Sequence, residues 1–121
     1  MNEPPIVKNQ MKDWSVERRW KRFRVEMRLK VFVDKPGMPK FTFGQGNDIS
    51  EGGMSAYVPL EMQTGESLEL ELMLPYSKES IRVVAKVCNK NGFRYGMEYT
   101  RIAAQDRETL VKALKNLNLT Q

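Results

Sequence analysis

The sequence predicts a mainly β fold, a six-stranded antiparallel β-barrel with a C-terminal α-helix. Apolar and polar residues alternate in several runs between Phe23 and Tyr99, as expected for strands with one buried face. Short turn signals separate these runs, and consecutive strands joined in this way are typical of an antiparallel sandwich or barrel. A barrel would remove the exposed strand edges that such a chain otherwise leaves open.

The N-terminal half of the barrel is predicted to contain three strands. Over residues 23–33, six apolar residues alternate mostly with charged ones, which predicts a long half-buried strand. The turn that follows, at 34–37, contains Pro and Gly. We expect a short strand at 41–43, a Gly-Gln-Gly turn at 44–46 and a third strand at 54–58.

The C-terminal half is predicted to contain three further strands and the helix. Leucines alternate with other residues over 68–74, and a second alternating run covers 81–87. The Asn91-Gly92 pair is a strong hairpin signal, and it leads into a last strand at 93–99. The apolar period then becomes helical, which predicts a helix over about 105–117 that can cover one opening of the barrel.

Length and composition favour one domain that is not an enzyme. The 121 residues fit a barrel domain at 17–121 that follows a flexible lead at 1–16. The chain has no histidine, which removes the commonest general base and the commonest metal ligand. It also offers no nucleophile–base pair, so we expect no catalytic residue, no metal and no cofactor. The single cysteine, Cys88, excludes an intrachain disulfide, and a buried or half-exposed thiol is expected there.

The sequence shows no pattern of membrane insertion or export. Its apolar runs are much shorter than the roughly 18 residues of a membrane span, and its N-terminus lacks the apolar core of a secretory signal. Together with the lone cysteine, these features favour a cytoplasmic protein.

The net charge of +5 comes entirely from the N-terminal part of the chain. Residues 1–33 contain nine Lys and Arg against four Asp and Glu, whereas residues 34–121 contain eleven of each. The cations are concentrated at 18–24, where five of seven residues are Lys or Arg. A solvated linker is one interpretation. However, four of the five are arginines, whose planar fork binds phosphate in a bidentate manner, and this favours a local anion-binding site.

A second unusual stretch, NDISEGG at 47–53, lies between two predicted strands. One interpretation is a polar turn in which Asp48 and Ser50 bond nearby backbone amides. In the other, Asp48 accepts hydrogen bonds from the N1–H and N2–H₂ groups of a guanine, and Ser50 bonds beside it. Gly53 then lets the ligand approach the backbone closely.

Together the two stretches resemble the PilZ domain family. Two family motifs are matched at every fixed position: R-x-x-x-R by Arg18 and Arg22, and D-x-S-x-x-G by Asp48, Ser50 and Gly53. The segment Tyr95-Gly96-Met97-Glu98-Tyr99 is also similar to the last barrel strand of the family. The resemblance covers roughly 17–117, and it implies a bacterial receptor for cyclic di-GMP.

The resemblance implies a ligand site made of residues from both stretches: Arg18, Arg19, Arg22, Arg24, Asp48, Ser50 and Gly53. The sequence leaves open which two arginines form the working pair, because Trp20 and Phe23 stand where the other registers require arginine. The resemblance also implies a binding switch, in which cyclic di-GMP orders the N-terminal segment and thereby alters binding to an unidentified protein partner.

Two alternatives to a ligand receptor remain. The chain can be a PilZ-like interaction module that binds no ligand, such as a pilus or motility adaptor. It can also be a barrel that binds a nucleic-acid polymer through its basic arm. Against this, the strands are neutral overall and show no basic stripe alternating with exposed aromatic residues. Trp20 is interpreted as a packing anchor or as a stacking surface for a guanine, and Trp14 as a packing residue.

Overall fold

The computed structural model describes residues 20–75 and 77–120 of the chain. Within these residues lie six strands and one helix: β1 (Phe23–Phe32), β2 (Phe41–Ile49), β3 (Gly53–Tyr57), β4 (Ser67–Met73), β5 (Ser80–Asn91), β6 (Arg94–Ile102) and α1 (Ala104–Thr120). The predicted lead at 1–16, with Trp14, lies outside the described residues.

The six strands form a closed barrel in the order β1-β2-β3-β6-β5-β4, and β1 pairs with β4 to complete it. All of the pairings are antiparallel, so the predicted fold class is confirmed. The hairpin signal at Asn91-Gly92 also corresponds to a real hairpin. Asn91 pairs with Arg94 across a two-residue turn, and Gly92 adopts a φ of 65° that favours glycine.

The alternation in the sequence separates the inside of the barrel from the outside. In β1 every second residue from Phe23 to Val31 is buried. The helix α1 packs on β1 and β5 and adds Leu110 and Leu117 to the same core. Each buried side chain of this kind contributes roughly 1.5–3 kcal/mol relative to an exposed one. No helix in the described part of the chain combines the length and apolarity that crossing a membrane requires.

The second strand is longer than predicted, and the Gly-Gln-Gly turn is wrong. Gly44 and Gly46 lie inside β2, because packing on neighbouring strands requires their missing side chains. A Cβ on Gly44 would lie 2.8 Å from the backbone oxygen of Tyr57, and one on Gly46 would lie 3.1 Å from the methyl carbons of Met27 and Met54. The glycines therefore allow the strand to run close to its neighbours rather than reverse its direction.

A bulge in β2 turns Asp48 toward the outside of the barrel. Gly46 pairs with the buried Ala56, but Asp48 pairs with Ser55, so Asn47 is an extra residue on this side of the ladder. Without the extra residue, Asp48 would point the same way as the buried Gly46. A bulge shifts the alternation by one and redirects the next side chain, which is why Asp48 faces outward.

The expectation that the barrel lacks a basic stripe beside exposed aromatic residues is also wrong. On the outside of β1 and β2, the Cζ of Arg28 lies 4.0 Å from the centre of the Phe43 ring. The Nζ of Lys30 lies 4.6 Å from the centre of the Phe41 ring. The cations come from one strand and the rings from the next, so the stripe forms only through their antiparallel register.

Candidate functional site

An open groove of about 640 Å³ lies on the outside of the barrel. It contains an edge with two opposite charges, the loop between β2 and β3, and a floor contributed by β3, β5 and β6. Because the side chains of these strands alternate, outward residues supply most of the lining. Met54 and Met97, which belong to the buried core, also reach the groove.

Arg22 and Asp48 form the charged edge of the groove. Arg22 lies just before β1, and the bulge in β2 presents Asp48 beside it. The Nη1 of Arg22 is 3.9 Å from the Oδ2 of Asp48, and the two side chains are 44% and 29% exposed. A long, partly solvated ion pair of this kind contributes roughly 0–1 kcal/mol. The guanidinium and the carboxylate can therefore separate from each other and bind a ligand instead, at little energetic cost.

The loop of the groove is organised by Ser50, which is buried. Its backbone N–H donates to the carbonyl of Gly53 at 2.8 Å. Its hydroxyl donates to the same carbonyl and accepts from the N–H groups of Gly52 and Gly53, each at 3.2 Å. The donor and both acceptor positions of the hydroxyl are thus occupied within the loop. Ser50 therefore behaves as the polar-turn interpretation expects.

The two glycines of this loop allow two close contacts. A Cβ on Gly53 would collide with the backbone oxygen of Met97 in β6, and one on Gly52 would collide with the indole of Trp20. The ring of Trp20 packs against Gly52, but 42% of the side chain stays exposed in the groove. Trp20 therefore makes the packing contact expected of an anchor, and it still presents aromatic surface to a ligand.

The floor of the groove is a row of small and polar residues across three strands. Ser55 of β3 pairs with Gly96 of β6, and Gly96 pairs with Asn89 of β5. The side-chain amide of Asn89 lies over Gly96, with its Oδ1 2.7 Å from the position that a Cβ would occupy. A larger residue at Gly96 would displace this amide. The floor is consequently shallow, and one amide group is placed on it.

Cys88 and Glu98 complete the far wall of the groove. The Sγ of Cys88 is 3.9 Å from the Oε1 of Glu98 and 3.6 Å from the carbonyl of Lys86. Burial raises the pKa of the Cys88 thiol, and the carboxylate of Glu98 raises it further. The thiol is therefore protonated at neutral pH and is a poor nucleophile there.

Two buried polar atoms near Asp48 have no hydrogen-bond partner within the described chain. They are the Oδ1 of Asn47 and the hydroxyl of Tyr99. Burial raises the pKa of the Tyr99 hydroxyl, and the negative charge of Asp48 adds to the effect. The backbone N–H of Tyr99 donates to the carbonyl of Gly52 at 3.0 Å, so this residue also holds the loop in place.

The helix α1 contacts both ends of the site. Lys21, next to Arg22, donates from its Nζ to the Oδ1 of Asn118 at 2.7 Å. Glu51 in the loop lies 3.8 Å from Arg107 near the start of the helix. These exposed contacts are individually weak, but they connect the helix with both segments that carry the charged edge and the loop.

Among the residues predicted for the site, the structure brings four together at the groove: Arg22, Asp48, Ser50 and Gly53. Arg24 is in register with Asp48 in the β1–β2 ladder, but it does not line the groove. Arg18 and Arg19 lie outside the described residues. Sequence reasoning did not select Asn89, because no local motif marks a residue that reaches the groove through strand pairing alone.

Within the described residues, no group of three or more His, Cys, Asp or Glu side chains is arranged to hold a metal ion. Asp48, Cys88 and Glu98 all line the groove, but they are not arranged as such a group. The groove instead offers a guanidinium, carboxylates, an amide and an aromatic ring. This combination suits hydrogen bonding to a polar, anionic ligand.

Comparison with protein families gives a match over most of the chain. A family model described as the PilZ domain matches residues 17–116. No curated protein sequence matches the chain.

Three solved structures have the same fold. The Bacillus subtilis inhibitor of motility, MotI/DgrA, has a TM-score of 0.69 at 23% identity, over 86% of this chain and 52% of that chain. The present chain thus spans about half the length of that protein. The PilZ domain of CeSA from a cellulose-synthesizing bacterium has a TM-score of 0.61 at 15% identity, over 81% and 98% of the two chains. The PilZ domain of YcgR from Escherichia coli, in a structure with c-di-GMP, has a TM-score of 0.66 at 14% identity, over 85% and 92%.

Proposed function

The chain belongs to the PilZ domain family, and from this premise we propose that it is a cytoplasmic receptor domain for cyclic di-GMP that acts through a protein partner. The proposal includes no catalysis. The observation that carries it is the convergence of Arg22 and Asp48 at the edge of one groove. These residues come from two distant motifs, and they offer the two charges that a guanine nucleotide requires.

Cyclic di-GMP has two phosphates and two guanines on a closed ring, and each kind of group has a partner in the groove. The guanidinium of Arg22 can bind a phosphate through a bidentate, charge-assisted hydrogen bond. The carboxylate of Asp48 can accept from the N1–H and N2–H₂ of a guanine. Each such bond contributes about 1.5–3 kcal/mol, which exceeds the roughly 0–1 kcal/mol of the Arg22–Asp48 pair that the ligand would replace.

The loop residues have a supporting role in this proposal. The hydroxyl of Ser50 is hydrogen-bonded to the backbone of Gly52 and Gly53. The main role of Ser50 is therefore to hold the loop in shape, and contact with the guanine is secondary. Gly53 permits the close approach of the loop to β6. The exposed part of the Trp20 ring is available for stacking on a base.

The finer mechanism concerns the arginines on either side of Arg22 in the sequence. Arg18 and Arg19, which lie outside the described residues, would supply further guanidinium groups to the ligand, and Arg24 would add positive charge near Asp48. Binding would order the segment that carries these arginines, and the domain would then present a different surface to its protein partner.

Isothermal titration of cyclic di-GMP tests the proposal. We expect the wild type to bind and to melt at a higher temperature with ligand. We expect Arg22→Ala and Asp48→Ala each to weaken binding by about 10- to 150-fold, the equivalent of one charge-assisted hydrogen bond. Arg82→Ala is the matched control, because Arg82 is also a half-exposed arginine paired with a carboxylate, Glu69, but lies away from the groove.

The outcomes separate the alternatives. Equal affinities of the wild type and Arg22→Ala would remove Arg22 from the site. Comparable binding of cyclic di-AMP would argue against guanine recognition by Asp48. A wild type that binds neither nucleotide would refute the receptor proposal and favour the ligand-free adaptor.

A further inference from the structure

Besides Trp20 in the groove, four aromatic side chains of the described residues lie exposed on the barrel: Phe41, Phe43, Tyr57 and Phe93, each 40–47% exposed. They form two edge-to-face pairs. The ring centres of Phe41 and Phe43 are 5.5 Å apart, and those of Tyr57 and Phe93 are 6.3 Å apart. Single exposed apolar residues are common on protein surfaces, but clustered ones mark interaction sites.

The register of the strands makes these pairs one surface. Across the sheet, Arg28 pairs with Gln45, Gln45 with Tyr57, and Tyr57 with Arg94. Two residues further along β1 and β2, on the same outer surface of the barrel, Lys30 pairs with Phe43. We call this surface the aromatic face, and define it by seven residues: Arg28, Lys30, Phe41, Phe43, Tyr57, Phe93 and Arg94.

The aromatic face is positively charged, and two of its three cations are held over rings. Arg28 stacks on Phe43 and Lys30 lies over Phe41, at the distances given above. Lys30 is also in register with Glu71 of β4, yet no ion pair joins these two described residues. Cation–π contacts of this type hold a charge in place without neutralising it.

The positive area is small and is bounded by carboxylates. On one side, β4 places Glu69 opposite Phe32 and Glu71 opposite Lys30. Glu26 lies exposed on β1 itself, between Arg24 and Arg28. A nucleic-acid polymer requires a longer track of cations for its regularly spaced phosphates. A short acidic segment of a protein fits three cations interleaved with aromatic rings, and aromatic residues and arginines are enriched in protein interfaces.

From this geometry we propose that the aromatic face is the docking surface for a protein partner that presents an acidic segment with apolar side chains. Its carboxylates would meet Arg28, Lys30 and Arg94, and its apolar groups would cover the rings. The row from Arg28 to Arg94 lies next to the row that contains Asp48 and Ser55 in the groove. The proposal goes beyond ligand binding, since the face binds its partner whether or not the groove accepts cyclic di-GMP.

A random-peptide display library, screened against the wild-type chain without nucleotide, tests this proposal. We expect the selected peptides to be richer in Asp and Glu than the input library and to contain aromatic or aliphatic residues. A synthetic selected peptide should bind the wild type more weakly as salt increases. We expect about tenfold or greater loss of binding in Phe43→Ala and in the double variant Arg28→Glu/Arg94→Glu, since central aromatic and Arg contacts typically carry most of the binding energy of an interface.

The control variant is Lys112→Glu/Lys115→Glu, which makes the same charge change on exposed positions of α1. It should bind the selected peptide like the wild type. Peptides without acidic enrichment, or equal binding by the Arg28→Glu/Arg94→Glu variant, would overturn the proposal. So would a single-stranded oligothymidylate that competes with the peptide and binds more tightly, because the face would then be a nucleic-acid surface. Because no nucleotide is added, these results are independent of the titrations with cyclic di-GMP.

Discussion

Two tyrosines on the same strand, near opposite ends of the barrel, differ in whether their hydroxyl groups are hydrogen-bonded. Tyr95 and Tyr99 lie four residues apart on β6. The hydroxyl of Tyr95 donates to the carbonyl of Leu60 at 2.7 Å and accepts from the N–H of Met62 at 3.0 Å. The hydroxyl of Tyr99 is buried beside Asp48 without a partner in the described chain. Most buried polar groups are hydrogen-bonded, so an exception requires a reason.

The polar groups near Tyr95 are also more closely paired than those near Tyr99. Near Tyr95, the Nζ of Lys90 contacts Glu61 at 2.6 Å and the carbonyl of Met62 at 3.1 Å. Near Tyr99, the Arg22–Asp48 ion pair is much longer, at 3.9 Å. The Tyr95 end is closely paired, whereas the groove end contains a long ion pair and two buried polar atoms without a partner in the described chain. Incomplete pairing at one place in an otherwise consistent fold is typical of functional sites.

The largest expected effect is on the loop that shapes the groove. Gly53→Ala places a Cβ against the backbone of Met97, which cannot move without disturbing the β3–β6 ladder. We expect the free energy of unfolding to fall by about 3 kcal/mol, measured by urea denaturation. Gly37→Ala is the control, because its Cβ meets nothing and only the φ of 79° opposes it, at about 1–2 kcal/mol. Equal losses in the two variants would show that the loop can move away from β6.

The next effect tests the closely paired Tyr95 end. Tyr95→Phe removes a hydroxyl and leaves the buried N–H of Met62 and the carbonyl of Leu60 without their partner. We expect a loss of about 2 kcal/mol in the free energy of unfolding, since the cost of an unsatisfied buried group is about 1–3 kcal/mol. Cyclic di-GMP affinity should be unchanged, because Tyr95 does not line the groove. A loss below about 0.5 kcal/mol would mean that water replaces the hydroxyl.

Much of the barrel could be predicted from the sequence because its signals are local. The alternation of β1 follows from the burial of one strand face, and the Asn91-Gly92 turn follows from the backbone preference of glycine. The length of β2 could not be predicted in this way. Gly44 and Gly46 have the composition of a turn, but their role depends on Tyr57, Met27 and Met54, which other strands bring near.

The candidate site was predictable to a similar degree. Arg22 and Asp48 carry motif signals, and the groove brings them together. The direction of Asp48, however, depends on the extra residue Asn47, and a bulge is a property of strand pairing rather than of local composition. Asn89 and the aromatic face could not be predicted for the same reason, because only the strand register shows which side chains become neighbours.

A smaller effect concerns Cys88, which is the only cysteine of the chain and lines the groove. Its raised pKa means that less thiolate exists at neutral pH than for an exposed cysteine, so alkylation by iodoacetamide should become fast only at more alkaline pH. Glu98→Gln removes one cause of the shift and should move this profile to lower pH. At a cyclic di-GMP concentration of about ten times Kd, alkylation should slow by about tenfold if the ligand covers the groove. Unchanged rates with saturating ligand would place the nucleotide elsewhere.

The smallest expected effect is the most direct test of the contrast between the two tyrosines. Tyr99→Phe removes a buried hydroxyl that has no partner in the described chain, so it removes a desolvation cost and breaks no hydrogen bond. We expect the free energy of unfolding to stay the same or to rise by up to about 1 kcal/mol, in parallel urea titrations with Tyr95→Phe. The two variants make the same chemical change on the same strand, so the difference between them isolates hydrogen bonding from the loss of an oxygen atom. A destabilisation of Tyr99→Phe as large as that of Tyr95→Phe would mean that the Tyr99 hydroxyl has a partner in solution, such as a bound water shared with Asp48, and the groove end would then be as well satisfied as the other.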